Sequence, residues 1–178
     1  ITVAVLAKVR PFVDFSDHDH RCARAMATTG TYSLQRIGEF APVAGARASY
    51  PLGGHTRLFQ DHGQTFLPRS KTDVFNQGVQ LVWPKTGTKT CPWTAVARYR
   101  TESIVRLTCD SPAWQKSDGS PANKAWLMAL LSSWANLAGV RWDPFWTTRS
   151  THVPGCERPF NSSANCLVSL EGALLQET

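Results

Sequence analysis

The stretch from Val74 to Gly139 constrains this chain most, because a strand-like segment and a long run free of glycine and proline lead into one strongly amphipathic helix. Val79-Gln80-Leu81-Val82-Trp83 is short, β-branched and aromatic, and it runs into Pro84-Lys85-Thr86-Gly87, which cannot continue a central strand. After Cys91-Pro92-Trp93, the run from Thr94 to Cys109 is long enough, at ~3.3 Å per residue, to cross a whole sheet, and it is predicted as a long second strand. Its alternation places Tyr99, Thr101, Ser103, Val105 and Leu107 on one face. Arg98, Arg100, Glu102, Ile104 and Arg106 fall on the other.

Asp118-Gly119-Ser120-Pro121 predicts a turn followed by a helix start, with Ser120 or Asn123 available as N-cap. Leu127, Leu130, Leu131, Trp134, Leu137 and Ala138 then recur on one helical stripe, and Gly139 stands where a C-terminal cap belongs. Trp126 lies beside the edge of that stripe. So wide an apolar face suits a helix that packs on a partner as well as on its own sheet, and equally a well-buried core helix.

Elsewhere the pattern is weaker. Ile1 to Phe15 alternates like an N-terminal strand, stopped at Pro11 or continuing past it, and Thr31 to Phe40 reads as another strand. Arg21 to Ala27 fits a short helix or a loop. The region from Ala41 to Gly63, rich in Gly, Pro, Ala and His, predicts a long excursion or an irregular hairpin, followed by strand edges at Thr65 to Leu67 and Val74 to Phe75 around a turn at Pro68-Arg69-Ser70-Lys71. Leu167 to Gln176 is apolar enough to dock as a short strand or helix. No internal repeat or separating linker is visible, so one domain over 1–140 with a C-terminal extension over 141–178 is expected.

Charged residues make up only 18 % of the chain, yet the net charge is +6 and the pI near 9.3, which puts nucleic acid first among polyanionic partners. No apolar run approaches the ~20 residues of a membrane span, and no leader segment is seen, so a soluble protein without a membrane partner is expected. The five cysteines (22, 91, 109, 156 and 166) form no CxxC pair, which argues against a zinc ribbon; a bridge from Cys156 to Cys166 is open. Asn161-Ser162-Ser163 is a glycosylation sequon.

Two constellations carry chemistry. Asp17, His18, Asp19, His20 and Cys22 gather metal-ligand types, and in a strand His18, His20 and Cys22 would share a face; the favoured alternative is a solvated loop with no metal. Arg98, Arg100 and Arg106 would project from one side of a sheet, where guanidinium groups pair with phosphates and stack on bases, with Gln80 on a neighbouring strand adding hydrogen bonds.

The order strand Val79 to Trp83, strand Thr94 to Cys109, turn, and amphipathic helix to Gly139 resembles the C-terminal half of the coat proteins of single-stranded RNA bacteriophages, over about 65 residues. The resemblance implies an α+β fold with an antiparallel β-sheet and a C-terminal amphipathic helix packing across a dimer partner. It implies an icosahedral virion assembled in the host cytoplasm, genomic RNA on the inward sheet face, no cofactor and no catalysis. RNA would meet Arg98, Arg100, Arg106 and Gln80, or, on the alternative face, Tyr99 and Thr101. The dimer interface would comprise Trp126, Leu127, Leu130, Leu131, Trp134 and Leu137. Two other classes stay open: a secreted β-rich binding domain with disulfides, and a metal-dependent enzyme.

Overall fold

A computed structural model of the chain describes residues 1–41, 50–68, 75 and 77–141. The extension beyond Arg141, with its two cysteines, its sequon and the docking segment at 167–176, lies outside them, as do residues 42–49 of the long excursion and 69–71 of the turn after Pro68.

The fold is α+β. Among the described residues, five α-helices and a three-stranded antiparallel sheet follow in the order α1 (Val3–Val9), α2 (His18–Tyr32), α3 (Ile37–Phe40), β1 (Thr56–Leu58), β2 (His62–Leu67), β3 (Val79–Pro84), α4 (Pro92–Thr101) and α5 (Lys124–Leu137). One hydrophobic core joins α1, α2, α4, α5 and the inner side of β3.

The N-terminus is helical where alternation predicted a strand. Val5, Leu6 and Val9 share a helical face as readily as alternate residues share a strand face, and their burial in the core shared with α2 and α5 decides between the two periods. The Thr2 hydroxyl caps α1 by accepting from the Val5 amide at 3.4 Å. Pro11 then sits in a single 3₁₀ turn, Arg10–Phe12.

Helix α2 is the central element and is longer than the short helix or loop expected at 21–27. Asp17 caps it, accepting from the His20 amide at 2.8 Å, and from Cys22 to Gly30 every residue but Arg24 is buried. The Thr28 and Thr29 hydroxyls donate to carbonyls one turn back, so their burial leaves no unpaired donor. Gly30 is required by packing: a Cβ there would lie 2.7 Å from the Phe40 ring. The strand predicted for Thr31 to Phe40 is instead the end of α2, a turn through Leu34 at φ 55°, and α3.

The sheet has the order β1-β2-β3, with Thr56 opposite Thr65, Gly63 opposite Trp83 and Phe66 opposite Gln80. Alternation in β2 buries Gly63, Thr65 and Leu67 and leaves His62, Gln64 and Phe66 on the outer side. Trp83 has no exposed surface and lies across Gly63, where a Cβ would come within 2.0 Å of the indole.

The predicted strand from Thr94 to Cys109 is the largest correction. Pro92, Ala95, Val96 and Tyr99 follow i, i+3, i+4, i+7 spacing and form the buried face of α4. Proline at the first helical position favours this start, because its missing N–H has no intrahelical partner there. The chain leaves the helix at Glu102 and runs irregularly to Asn123, held by bonds from the Gly53 amide to the Ser111 carbonyl and from the Ala113 amide to the Pro51 carbonyl, at 2.8 and 2.9 Å.

Helix α5 matches its prediction closely. Asn123 is the N-cap, accepting from the Trp126 amide at 3.0 Å, and Gly139 adopts φ 62° just past the end. The Val140 amide reaches back to the Ala135 carbonyl at 2.9 Å, which satisfies a last-turn acceptor.

Candidate nucleic-acid interface

Because α4 is a helix, the predicted arginine row does not exist. Arg98 is exposed in the last turn of α4, with Nε 2.9 and 3.1 Å from the two Glu102 carboxylate oxygens. Arg100, exposed as a whole residue, donates from Nη1 to the Thr56 carbonyl at 2.8 Å, tying α4 to β1, and partial desolvation of its guanidinium lowers its pKa. Arg106 is exposed in the irregular segment. The alternative pair fares no better: the Thr101 hydroxyl returns to the Ala97 carbonyl at 3.0 Å, and Tyr99 is fully buried.

Tyr99 belongs to a sealed polar knot. Its hydroxyl accepts from the Gln115 amide at 2.9 Å, and His18 Nε2 lies 3.0 Å from the Gln115 carbonyl. Burial pushes the phenol pKa up, and it does the same to the neighbouring Cys22 thiol. This knot also accounts for the suspected metal ligands. On a helix His18 and Cys22 share a face but His20 does not; its ring meets Trp134 edge-on at 5.2 Å, and its Nδ1 accepts from the Asp14 amide at 2.9 Å. Among the described residues no group of three His, Cys, Asp or Glu side chains is placed to hold a metal.

Gln80 alone of the predicted RNA contacts stands on a sheet face, and the structure adds its neighbours. Its Nε2 donates to Gln64 Oε1 at 3.0 Å, Gln64 Nε2 lies 3.0 Å from His62 Nε2, and His62 Nδ1 lies 2.6 Å from Asp61 Oδ1. With the Gln64 amide donating, His62 Nε2 must accept, so its proton sits on Nδ1 toward Asp61. That hydrogen bond holds the Asp61 carboxyl below its ordinary pKa. Arg57, exposed on β1 opposite Gln64, lies on the same outer face, as does Val82, which is 53 % exposed.

Aromatic rings line one end of this face. Phe59 stacks on His62 with centroids 4.7 Å apart and planes 12° from parallel; Trp93 donates its indole N–H to the Phe59 carbonyl at 2.7 Å, and Lys85 Nζ lies 4.2 Å above the Trp93 ring. Amides and an imidazole on the sheet, with cations and π surfaces on it and beside it, supply the groups that bind unpaired bases and phosphates. Arg57, Phe59, His62 and Gln64 escape a reading of the sequence because the inward partners in β2 are Gly63 and Thr65, whose small or polar side chains mask the alternation.

The predicted dimer face divides in two. Leu127, Leu131 and Trp134 are buried in the chain's own core, whereas Trp126 and Leu130 are half-buried and Leu137 is 61 % exposed. The last three fall at i, i+4 and i+11, on a second stripe of α5. No helix among the described residues is long and apolar enough to cross a membrane. No protein-family model, characterised protein or solved structure matches this chain.

Proposed function

We propose that this is a self-associating, RNA-binding structural protein of the viral-coat type, without catalytic activity, whose RNA lies on the outer face of the three-stranded sheet. The observation that carries the reading is the run of hydrogen-bonding side chains His62, Gln64 and Gln80 across β2 and β3, flanked by Arg57 and the Phe59 ring. Amides and imidazole present donors and acceptors to base edges, the ring offers a stacking surface, and a chain of net charge +6 draws the phosphate backbone. The RNA contacts are thereby reassigned from Arg98, Arg100 and Arg106 to the sheet, with Gln80 retained.

Self-association draws on the outer stripe of α5, where Trp126, Leu130 and Leu137 keep apolar surface in water. Covering it in a symmetric pair yields about 25 cal/mol per Å². The reading places the assembled protein in a virion formed in host cytoplasm.

Light scattering and negative-stain imaging of the purified protein test the assembly, and its absorbance spectrum tests for co-purified nucleic acid. Dimers or uniform particles carrying RNA are expected. A strict monomer free of nucleic acid sinks the proposal, as does a Gln64→Ala/Gln80→Ala variant that binds single-stranded RNA as tightly as the parent.

A further inference from the structure

Three arginines from three separate elements converge on one aromatic ring, and none of them is a residue of the sheet face. The guanidinium carbons of Arg10, Arg24 and Arg98 lie 5.4, 5.1 and 4.9 Å from the centroid of the half-buried Phe15. They come from the 3₁₀ turn after α1, from α2 and from α4.

A fourth arginine braces the loop that holds the ring. Arg21 is buried and donates to the Phe15 and Ser16 carbonyls at 2.8 Å each and to the Glu102 carbonyl at 2.7 Å. Among the described residues, the carboxylate paired with the group is that of Glu102, 2.9 Å from Arg98 Nε and 3.7 Å from Arg21 Nε. Asp14 and Asp17, on the same loop, are engaged elsewhere, by Ser16 and by the His20 amide. Arg24 Nη2 also donates to the Lys89 carbonyl at 2.5 Å, which fixes the direction of its guanidinium.

Four guanidinium groups beside one carboxylate repel one another, and water screens them only partly. Burial first, then repulsion from Arg10 and Arg98, lowers the Arg24 pKa to about 10, against a smaller opposing attraction from Cys91. Arg10 Nε is buried without a hydrogen-bond partner. Arg98 meets Glu102 through Nε, which leaves its terminal nitrogens for another acceptor. Guanidinium groups oriented by an aromatic face and by backbone carbonyls present their remaining N–H groups to an oxyanion with little reordering.

We propose that Arg10, Arg24 and Arg98, gathered around Phe15, form a phosphate-binding site, distinct from the sheet face and independent of it. A phosphate oxyanion supplies the missing negative charge and accepts several N–H groups at once. Two sources share this chemistry: the backbone of a single-stranded nucleic acid and a free phosphate compound.

The test uses the full chain with two probes, pyrophosphate and a structureless oligouridylate, in a thermal-shift titration and a fluorescence-anisotropy titration. The variants are Arg24→Gln/Arg98→Gln and the charge-matched pair Arg36→Gln/Arg106→Gln, two exposed arginines outside both surfaces. Wild-type protein should bind at least one probe, and the cage variant should bind it ten-fold or more weakly. If the oligonucleotide is the ligand, the slope of log Kd against log salt should also fall by ~0.7 for each phosphate that the variant no longer neutralises. Tighter binding of oligouridylate identifies a nucleic-acid backbone, and tighter binding of pyrophosphate identifies a free phosphate compound; each supports the site.

Circular dichroism checks that the cage variant is folded. If it is not, Arg98→Gln alone, on an exposed side chain, replaces it and should still weaken binding several-fold. The site is overturned if wild-type protein binds neither probe, or if the control pair weakens binding as much as the cage variant does. Loss of RNA binding in Gln64→Ala/Gln80→Ala with pyrophosphate affinity intact would separate the two surfaces.

Discussion

Two hydrogen-bonded chains of polar groups, one of them passing through the Gln115 backbone, differ in their access to water. One runs through His18, Tyr99 and Gln115 between α2, α4 and the irregular segment, where all three residues are buried. The other runs through Asp61, His62, Gln64 and Gln80 across the open side of the sheet. In the sealed chain every bond replaces one that water can no longer supply, so its residues are committed to the fold. In the open chain each bond competes with water and is worth little to stability, so its groups remain free to exchange partners with a ligand. Residue type alone does not separate these cases: a tyrosine at position 99 suits a base-stacking surface, and here it is a structural strut.

The largest expected effect comes from the sealed side of the sheet that carries the open chain. Gly63 lies between His62 and Gln64 in sequence but faces inward, beneath Trp83. Gly63→Ala forces the indole or the strand to move, and a loss of about 3 kcal/mol is expected from overpacking. Urea denaturation measures it. A loss under about 1 kcal/mol would show that the sheet yields easily, which would blur the contrast between its two sides.

Next in size is Tyr99→Phe. It leaves the Gln115 amide without its acceptor in a buried setting, at a cost of about 1–3 kcal/mol. An unchanged stability would mean that water reaches the knot, and the distinction between sealed and open chains would fail.

What is legible in the sequence follows from the same physics. Helix α5 can be read because its inner stripe is large and apolar and its ends carry Asn123 and Gly139; β3 can be read because Val79 to Trp83 is short, β-branched and closed by Pro84. Helix α4 is ambiguous because Tyr99, Val105 and Leu107 fit period two while Ala95, Val96 and Tyr99 fit the helical period, and only tertiary burial separates them. The strand signal at Ile1 to Phe15 fails for the same reason. The sites are less legible still. The arginines around Phe15 are separated by up to 88 positions in the chain, from Arg10 to Arg98, and no local pattern announces that they meet.

Cys91 sharpens the comparison from an intermediate position, since it is buried at the N-cap of α4 yet favours its charged form. Burial alone would raise the thiol pKa, but hydrogen bonds from Thr94 and Thr86 outweigh it and bring the value from 9.0 to about 7. Folded protein therefore releases this proton at lower pH than unfolded protein does. Stability should rise as pH increases from about 7 to about 9 and lose this contribution as pH falls through about 7. Cys91→Ser should remove that rise; a pH profile of the melting midpoint that is the same in both proteins would refute the assignment. Peptide-resolved alkylation should modify exposed Cys109 well before buried Cys22 and Cys91.

The smallest stability effect belongs to the open chain. Gln80→Ala removes one amide whose bond to Gln64 is made in water, and both groups can hydrate once separated, so a change within about 0.5 kcal/mol is expected. Binding should respond quite differently. If Gln80 and Gln64 hand their hydrogen bonds to bases, Gln80→Ala should weaken single-stranded RNA binding several-fold while leaving the melting midpoint almost unmoved. The converse result, a marked loss of stability with RNA affinity intact, would mean that this chain is structural like the one around Tyr99, and the sheet face would lose its claim to the RNA.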